Sequence, residues 1–145
     1  MAAPPPAPPI NRVIETCVYC DDLDAAEAFY GGVLGLKRFW RRDGRDLFFA
    51  VGDTVLLVFV PGTTAQGGSL PPHGATGSTH FALQIDPEQY GPWRSHLIQS
   101  GIEIEQEHHW PDDGARSLYL RDPCGNLVEL ITRPAWEKHF TADHG

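Results

Sequence analysis

The sequence predicts an α+β chain made of two tandem βαβββ modules whose strands form a curved mixed β-sheet cleft. Three observations lead there. One order of features occurs twice: His80 stands 65 positions after Glu15 at matching strand starts, Gly101 stands 66 after Gly35 at matching helix ends, and Glu129 stands 72 after Leu57 in matching last strands. The 15 glycines and 13 prolines among 145 residues call for many tight turns, which go with short strands. Between those turns apolar residues alternate with period two, the spacing of half-buried strands.

In the first module, Val13 to Cys20 alternates as a strand and runs into Asp22, whose carboxylate suits the N-cap of a helix carrying Leu23, Ala26, Tyr30 and Val33 on one stripe. That helix ends at Gly31 and Gly32 or at Gly35. Strands follow at 36–42, 46–51 and 54–60, with Asp43-Gly44 and Gly52-Asp53 as hairpin turns. In the second module a strand over 79–85 leads through Asp86-Pro87, N-cap and first helical residue, to a helix with Tyr90, Trp93 and Leu97 on one face. Gly101 stops it, and strands over 102–108, 116–121 and 127–132 follow, separated by the turns Pro111–Gly114 and Asp122–Asn126.

The domain plan is therefore a Pro-rich tail over 1–11, one domain over 12–134 (module 1 at 12–60, linker at 61–78, module 2 at 79–134) and an extension over 135–145.

Eleven Lys and Arg against nineteen Asp and Glu give a net charge of -8, the wrong sign for binding nucleic acid or an anionic membrane surface. No apolar run approaches the roughly 18 residues of a membrane helix, and the start lacks the basic and apolar regions of a secretory leader. A cytoplasmic chain is expected. Cys17, Cys20 and Cys124 are an odd number, so free thiols are expected rather than a disulfide framework.

Strand alternation sorts the residues able to carry chemistry. Thr16, Val18 and Cys20 face the helix, which leaves Glu15, Cys17 and Tyr19 on the other side. In module 2, Phe81, Leu83 and Ile85 face the helix, so His80 holds the place that Glu15 holds in module 1. Glu129 interrupts an apolar strand and needs a partner there. If the sheets curve together, Glu15, His80 and Glu129 supply two oxygens and one nitrogen, a set suited to Mn, Ni, Zn, Fe or Mg with open positions for water or substrate. Leu57, the internal equivalent of Glu129, cannot ligate. Arg116, Ser117 and Tyr119 precede the Glu129 hairpin and can contact an anionic substrate, with Cys17 beside Glu15 and His109 at a pocket mouth. Cys17-x-x-Cys20 has the spacing of a redox or zinc pair, but its residues fall on opposite strand faces and no second pair exists.

These residues resemble the vicinal oxygen chelate superfamily, which includes glyoxalase I, bleomycin resistance proteins, fosfomycin resistance enzymes and extradiol dioxygenases. The resemblance spans roughly residues 12 to 134 and rests on Asp22-Leu23-Asp24, Ala28-Phe29-Tyr30, Val33-Leu34-Gly35-Leu36, His80-Phe81-Ala82-Leu83 and the run from Arg116 to Leu130. It implies paired βαβββ modules curled around a divalent metal, with Glu15, His80 and Glu129 at the ligand positions, and a homodimer that can share each metal site between chains. Either carboxylate ligand can double as general base by detaching from the metal, with Glu129 favoured over Glu15. The implied activity is that of a glyoxalase-like lyase or related enzyme that chelates a small oxygen-rich substrate and stabilises an oxyanion or enolate. Leu57 departs from a four-ligand glyoxalase I, which has a carboxylate at that position. Ser117 and Tyr119 match polar substrate contacts of the fosfomycin transferases. The alternative is a metal-free sequestration protein of the bleomycin-resistance type, for which Trp40, Trp93, Trp110 and Trp136 supply aromatic surface.

Overall fold

The computed structural model describes residues 5–111, 114–132 and 136. The elements run β1 (Glu15–Tyr19), α1 (Leu23–Glu27) continuing into a π-helical turn (Ala28–Val33), β2 (Lys37–Arg42), β3 (Asp46–Val51), β4 (Thr54–Phe59), α2 (Pro61–Thr64), β5 (His80–Ile85), a 3₁₀ turn (Pro87–Gln89), α3 (Tyr90–Gln99), β6 (Gln106–His109), β7 (Arg116–Arg121) and β8 (Leu127–Thr132). They form two four-stranded sheets ordered β1-β4-β3-β2 and β5-β8-β7-β6. In each, the first strand lies parallel to the last and the remaining pairs are antiparallel. The predicted α+β class and repeated strand–helix–strand–strand–strand order are therefore observed.

Local chemistry explains the element ends. Asp22 is extended, and its Oδ1 accepts the Ala25 backbone N–H at 3.0 Å, capping α1. The helix then widens: Leu34 N–H donates to Phe29 O at 2.9 Å, a five-residue step. Gly35 closes it at φ 70°, a left-handed conformation that glycine reaches without Cβ strain. Asp86 stands at the predicted N-cap position but makes no side-chain cap hydrogen bond.

Three features differ from expectation, apart from shifts of one or two residues at other strand ends. The predicted strand over 102–108 is β6 at 106–109, because only there does β7 run alongside; Ile102 to Ile104 have no partner strand. The linker contains the four-residue helix α2. Trp93, expected in the core with Tyr90 and Leu97, is half-buried and packs at its edge. The turn residues 112 and 113, and most of the predicted terminal extension, lie outside the described residues.

One apolar cluster joins both modules: Val18, Leu47, Phe49, Leu56 and Val58 from the first sheet, Leu118, Leu120, Val128 and Leu130 from the second, with Phe29, Tyr30 and Leu97 from the helices. Polar contacts cross the same junction. Tyr30 Oη donates to Asp122 Oδ2 at 2.6 Å, Asn126 Nδ2 donates to Tyr19 O at 3.2 Å, and His96 Nε2 donates to Val33 O at 2.7 Å. Burial and the Asp122 carboxylate push the Tyr30 phenol far up, so it stays a protonated donor.

The expectation of free thiols is corrected at this junction: Cys20 and Cys124 are joined by a disulfide, with Cα atoms 5.4 Å apart, and Cys17 alone is free. Cys20 closes β1 and Cys124 sits in the β7–β8 turn. The bond thus links modules far apart in sequence, where local spacing rules are silent.

Asp122 holds that turn. Its Oδ1 accepts the backbone N–H groups of Cys124 and Asn126, both at 2.9 Å, while Oδ2 accepts Tyr30 Oη and Asn126 Nδ2. Asp122→Ala should leave these donors unpaired in a buried site and lower stability by about 3 kcal/mol, read as a fall in the urea unfolding midpoint.

Candidate metal and substrate site

The second sheet presents His80, Ser117, Tyr119 and Glu129 on the face turned away from its core. The register explains why. Tyr119 is paired with Glu129 across β7 and β8, and Ala82 with Glu129 across β5 and β8, so His80, two residues before Ala82, lies diagonal to Glu129 on the same face. The first sheet repeats this pattern: Cys17 is paired with Leu57, and Glu15 lies two residues before Cys17. Glu15 and Leu57 therefore hold the places of His80 and Glu129.

Glu129 is only 5% exposed, and a carboxylate at that depth needs compensation. Ser117 Oγ–H donates to its Oε2 at 2.6 Å, and Trp110 Nε1–H donates to Ser117 Oγ at 3.0 Å. Burial first, and then the Glu129 charge, raise the titration of the Tyr119 hydroxyl, so that it remains a protonated donor. Glu129 Oε1 faces His80 Nε2 at 3.3 Å.

His80 Nδ1 lies 3.0 Å from Leu127 O. A carbonyl only accepts, so Nδ1 carries a proton, and Nε2 is the nitrogen turned toward the carboxylate oxygen. Either a proton or a cation can bridge Nε2 and that oxygen. An imidazole whose other nitrogen donates to a backbone carbonyl is the usual arrangement of a metal-ligating histidine. A separation of 3.3 Å also matches two ligands each about 2.1 Å from a common ion. His80 and Glu129 thus fit a divalent cation.

Glu15 stands apart from this pair. Among the described residues the only three ligating groups within 4.8 Å of one another are Cys20, Asp21 and Cys124, so one chain brings together His80 and Glu129 without Glu15. Cys17 is exposed beside Glu15, and burial, then the Glu15 charge, push its thiol up.

Two other expected contacts fall on the opposite face. Arg116 stacks on the Tyr90 ring with its guanidinium carbon 3.9 Å from the centroid. Tyr90 Oη donates to Glu107 at 2.7 Å, and burial with that bond pushes its phenol up to about 12. His109 pairs with Arg116 in the ladder, whereas His108 pairs with Ser117 and packs edge-on against Trp110 at 4.5 Å between centroids. His108, Trp110 and Tyr119 line a cavity of about 290 Å³ with Glu105, Gln106 and Leu127. The run His108-His109-Trp110 before a turn suits an imidazole or indole at a pocket mouth, and Trp110 does line the cavity; its hydrogen bond to Ser117 is the part the sequence left unread.

The equivalent face of the first sheet is aromatic. Phe48 packs against Trp40 at 6.3 Å and Phe59 at 6.0 Å, and Tyr19 Oη is hydrogen-bonded to His73 Nδ1 at 2.8 Å.

Comparison with known proteins agrees with this architecture. The family model described as Glyoxalase/Bleomycin resistance protein/Dioxygenase superfamily matches residues 10–130. Among solved structures, lactoylglutathione lyase from Agrobacterium tumefaciens is 38% identical, with a TM-score of 0.84 over 88% of this chain and 98% of that one. A glyoxalase-related enzyme from Fulvimarina pelagi is 21% identical with a TM-score of 0.68, covering 86% of this chain and 90% of its own. A glyoxalase/dioxygenase from Nostoc punctiforme is 24% identical with a TM-score of 0.62, covering 85% and 91%. No curated protein matches. With its duplicated modules and a family match over most of its length, the chain belongs to the glyoxalase/bleomycin resistance protein/dioxygenase superfamily.

Proposed function

We propose that the protein is a divalent-metal-dependent enzyme of this superfamily that acts on a small oxygen-rich substrate, with His80 and Glu129 of one protomer and Glu15 of the partner subunit as ligands in a homodimer. The observation that carries this reading is His80 Nε2 facing Glu129 Oε1 at 3.3 Å while Nδ1–H is committed to Leu127 O. Two oxygens and a nitrogen leave Mn, Ni, Zn, Fe and Mg all admissible. The 38% identity to a lactoylglutathione lyase supports enzymatic chemistry over sequestration.

When bound, the cation supplies Lewis-acid stabilisation of negative charge on a chelating substrate oxygen. The chain's own groups do the rest. Trp110 orients Ser117, and Ser117 fixes Glu129 so that Oε1 is presented to the site. Glu129 would act as base through Oε1 only when that oxygen is released from the cation, and the protonated Tyr119 hydroxyl is a donor for a substrate oxygen. The Trp110 indole forms one wall of the cavity beside the site.

Metal analysis of protein purified without chelator tests the reading, with one ion per chain expected. Substoichiometric metal after supplementation with Mn, Ni, Zn and Fe salts would refute it. Ser117→Ala should weaken metal affinity roughly 10- to 100-fold by freeing the carboxylate it holds, measured by chelator competition. Sharing between chains has its own readout: mixing Glu15→Ala with Glu129→Ala protein should restore roughly one site in four, because each mixed dimer then keeps one complete site. No restoration would place all ligands within one chain.

A further inference from the structure

A second set of metal-binding donors lies where the modules meet, remote in chemistry from the oxygen and nitrogen set above. Cys20 Sγ, Cys124 Sγ and an Asp21 carboxylate oxygen all lie within 4.8 Å of one another. Asp21 Oδ1 is 3.4 Å from Cys124 Sγ. Among the described residues Asp21 has no ion pair, so its charge meets two sulfurs and no cationic side chain.

The scaffold holding these atoms is rigid on both sides. Cys20 is buried at the end of β1, its backbone N–H bonded to Phe59 O at 2.9 Å. Cys124 is presented by the turn whose backbone Asp122 pins from within. With Cα atoms 5.4 Å apart, both sulfurs reach one ion without backbone movement, given zinc–sulfur bonds of about 2.3 Å. Beside them a cavity of about 180 Å³, walled by Tyr19, Pro61, Thr79 and Asn126, gives an ion and its water room to enter.

We propose that Cys20, Cys124 and Asp21 form a zinc-class metal site in the reduced protein, so that the junction between modules is closed by a disulfide in oxidising surroundings and by a cation in reducing ones. The chemistry balances: a dithiol reductant delivers two electrons and two protons to the Cys20–Cys124 bond and becomes a disulfide itself. The two thiols then release their protons to solvent as the thiolates take the ion. Two thiolates favour a borderline or soft divalent cation such as Zn²⁺ over Mg²⁺ or Mn²⁺, and Asp21 supplies the third ligand. The site is independent of the metal proposed for His80 and Glu129, and either can stand without the other.

Cobalt titration separates the two, because only thiolate ligation gives an intense sulfur-to-metal charge-transfer band in the near ultraviolet. The full chain is reduced with a dithiol, freed of reductant under anaerobic conditions and titrated with Co²⁺. The expected result is a charge-transfer band saturating at one ion per chain, bleached by Zn²⁺ and absent before reduction. Cys17→Ser should keep the band, and Asp21→Ala should weaken zinc affinity at least tenfold with the count of titratable thiols unchanged. A reduced wild-type protein without the band overturns the proposal, as does a band that vanishes in Cys17→Ser.

Discussion

Glu129→Ala is expected to lower bound metal from one ion per chain to below a tenth and to remove metal-dependent turnover, the largest functional effect of any single substitution in this chain. The reasoning is geometric. Among the described residues Glu129 offers the carboxylate that meets His80 Nε2, and its other oxygen accepts from Ser117. Alanine removes a ligand and the proposed base together, and leaves the Ser117 hydroxyl without its acceptor. Folding should survive, because the buried charge leaves with the side chain instead of being stranded, unlike the loss of a single partner from a buried pair. Glu129→Gln separates the two roles: its amide oxygen retains weakened metal binding but cannot accept the substrate proton. Metal content and circular dichroism measured side by side decide the matter, and full metal content in folded Glu129→Ala protein would remove Glu129 from the site.

The largest stability effect is expected from reduction of the Cys20–Cys124 bond. It closes a loop with a sequence separation of 104, for which chain entropy gives about 4.7 kcal/mol. For a domain of this size that corresponds to a fall in Tm of roughly 15 °C, seen as two melting curves with and without a dithiol reductant in the presence of chelator. Cys20→Ser and Cys124→Ser should each reproduce the lower curve without reductant. An unchanged Tm on reduction would mean that the core joining the modules, and not the crosslink, sets the stability. Zinc added to the reduced wild type, but not to the serine variants, should recover part of the loss.

Alternation and repetition made most of the fold readable. The strands at 46–51, 116–121 and 127–132 begin and end where the turn residues around them demand, and the equivalence of Glu15 with His80 and of Leu57 with Glu129 reappears in the strand register. What escaped was either nonlocal or one residue out of phase. The disulfide joins segments with no shared motif. His109 and His108 differ by one position, which in a strand is a change of face; the same rule puts Arg116 opposite Ser117 and Tyr119, so alternation alone argued against placing all three around one substrate. Glu15 does not cluster with His80 and Glu129 within one chain, and the sharing between protomers proposed above is something a single sequence does not spell out.

The Tyr30–Asp122 hydrogen bond makes the two halves complete one another. A phenol from the first half fills the acceptor that organises a turn of the second, so separating the halves would leave a buried donor and a buried acceptor unpaired. With the Cys20–Cys124 bond reduced, a chain cut within 61–78 should yield two fragments that are unstructured apart and recover their sheets only on mixing, each serving as the other's folding template.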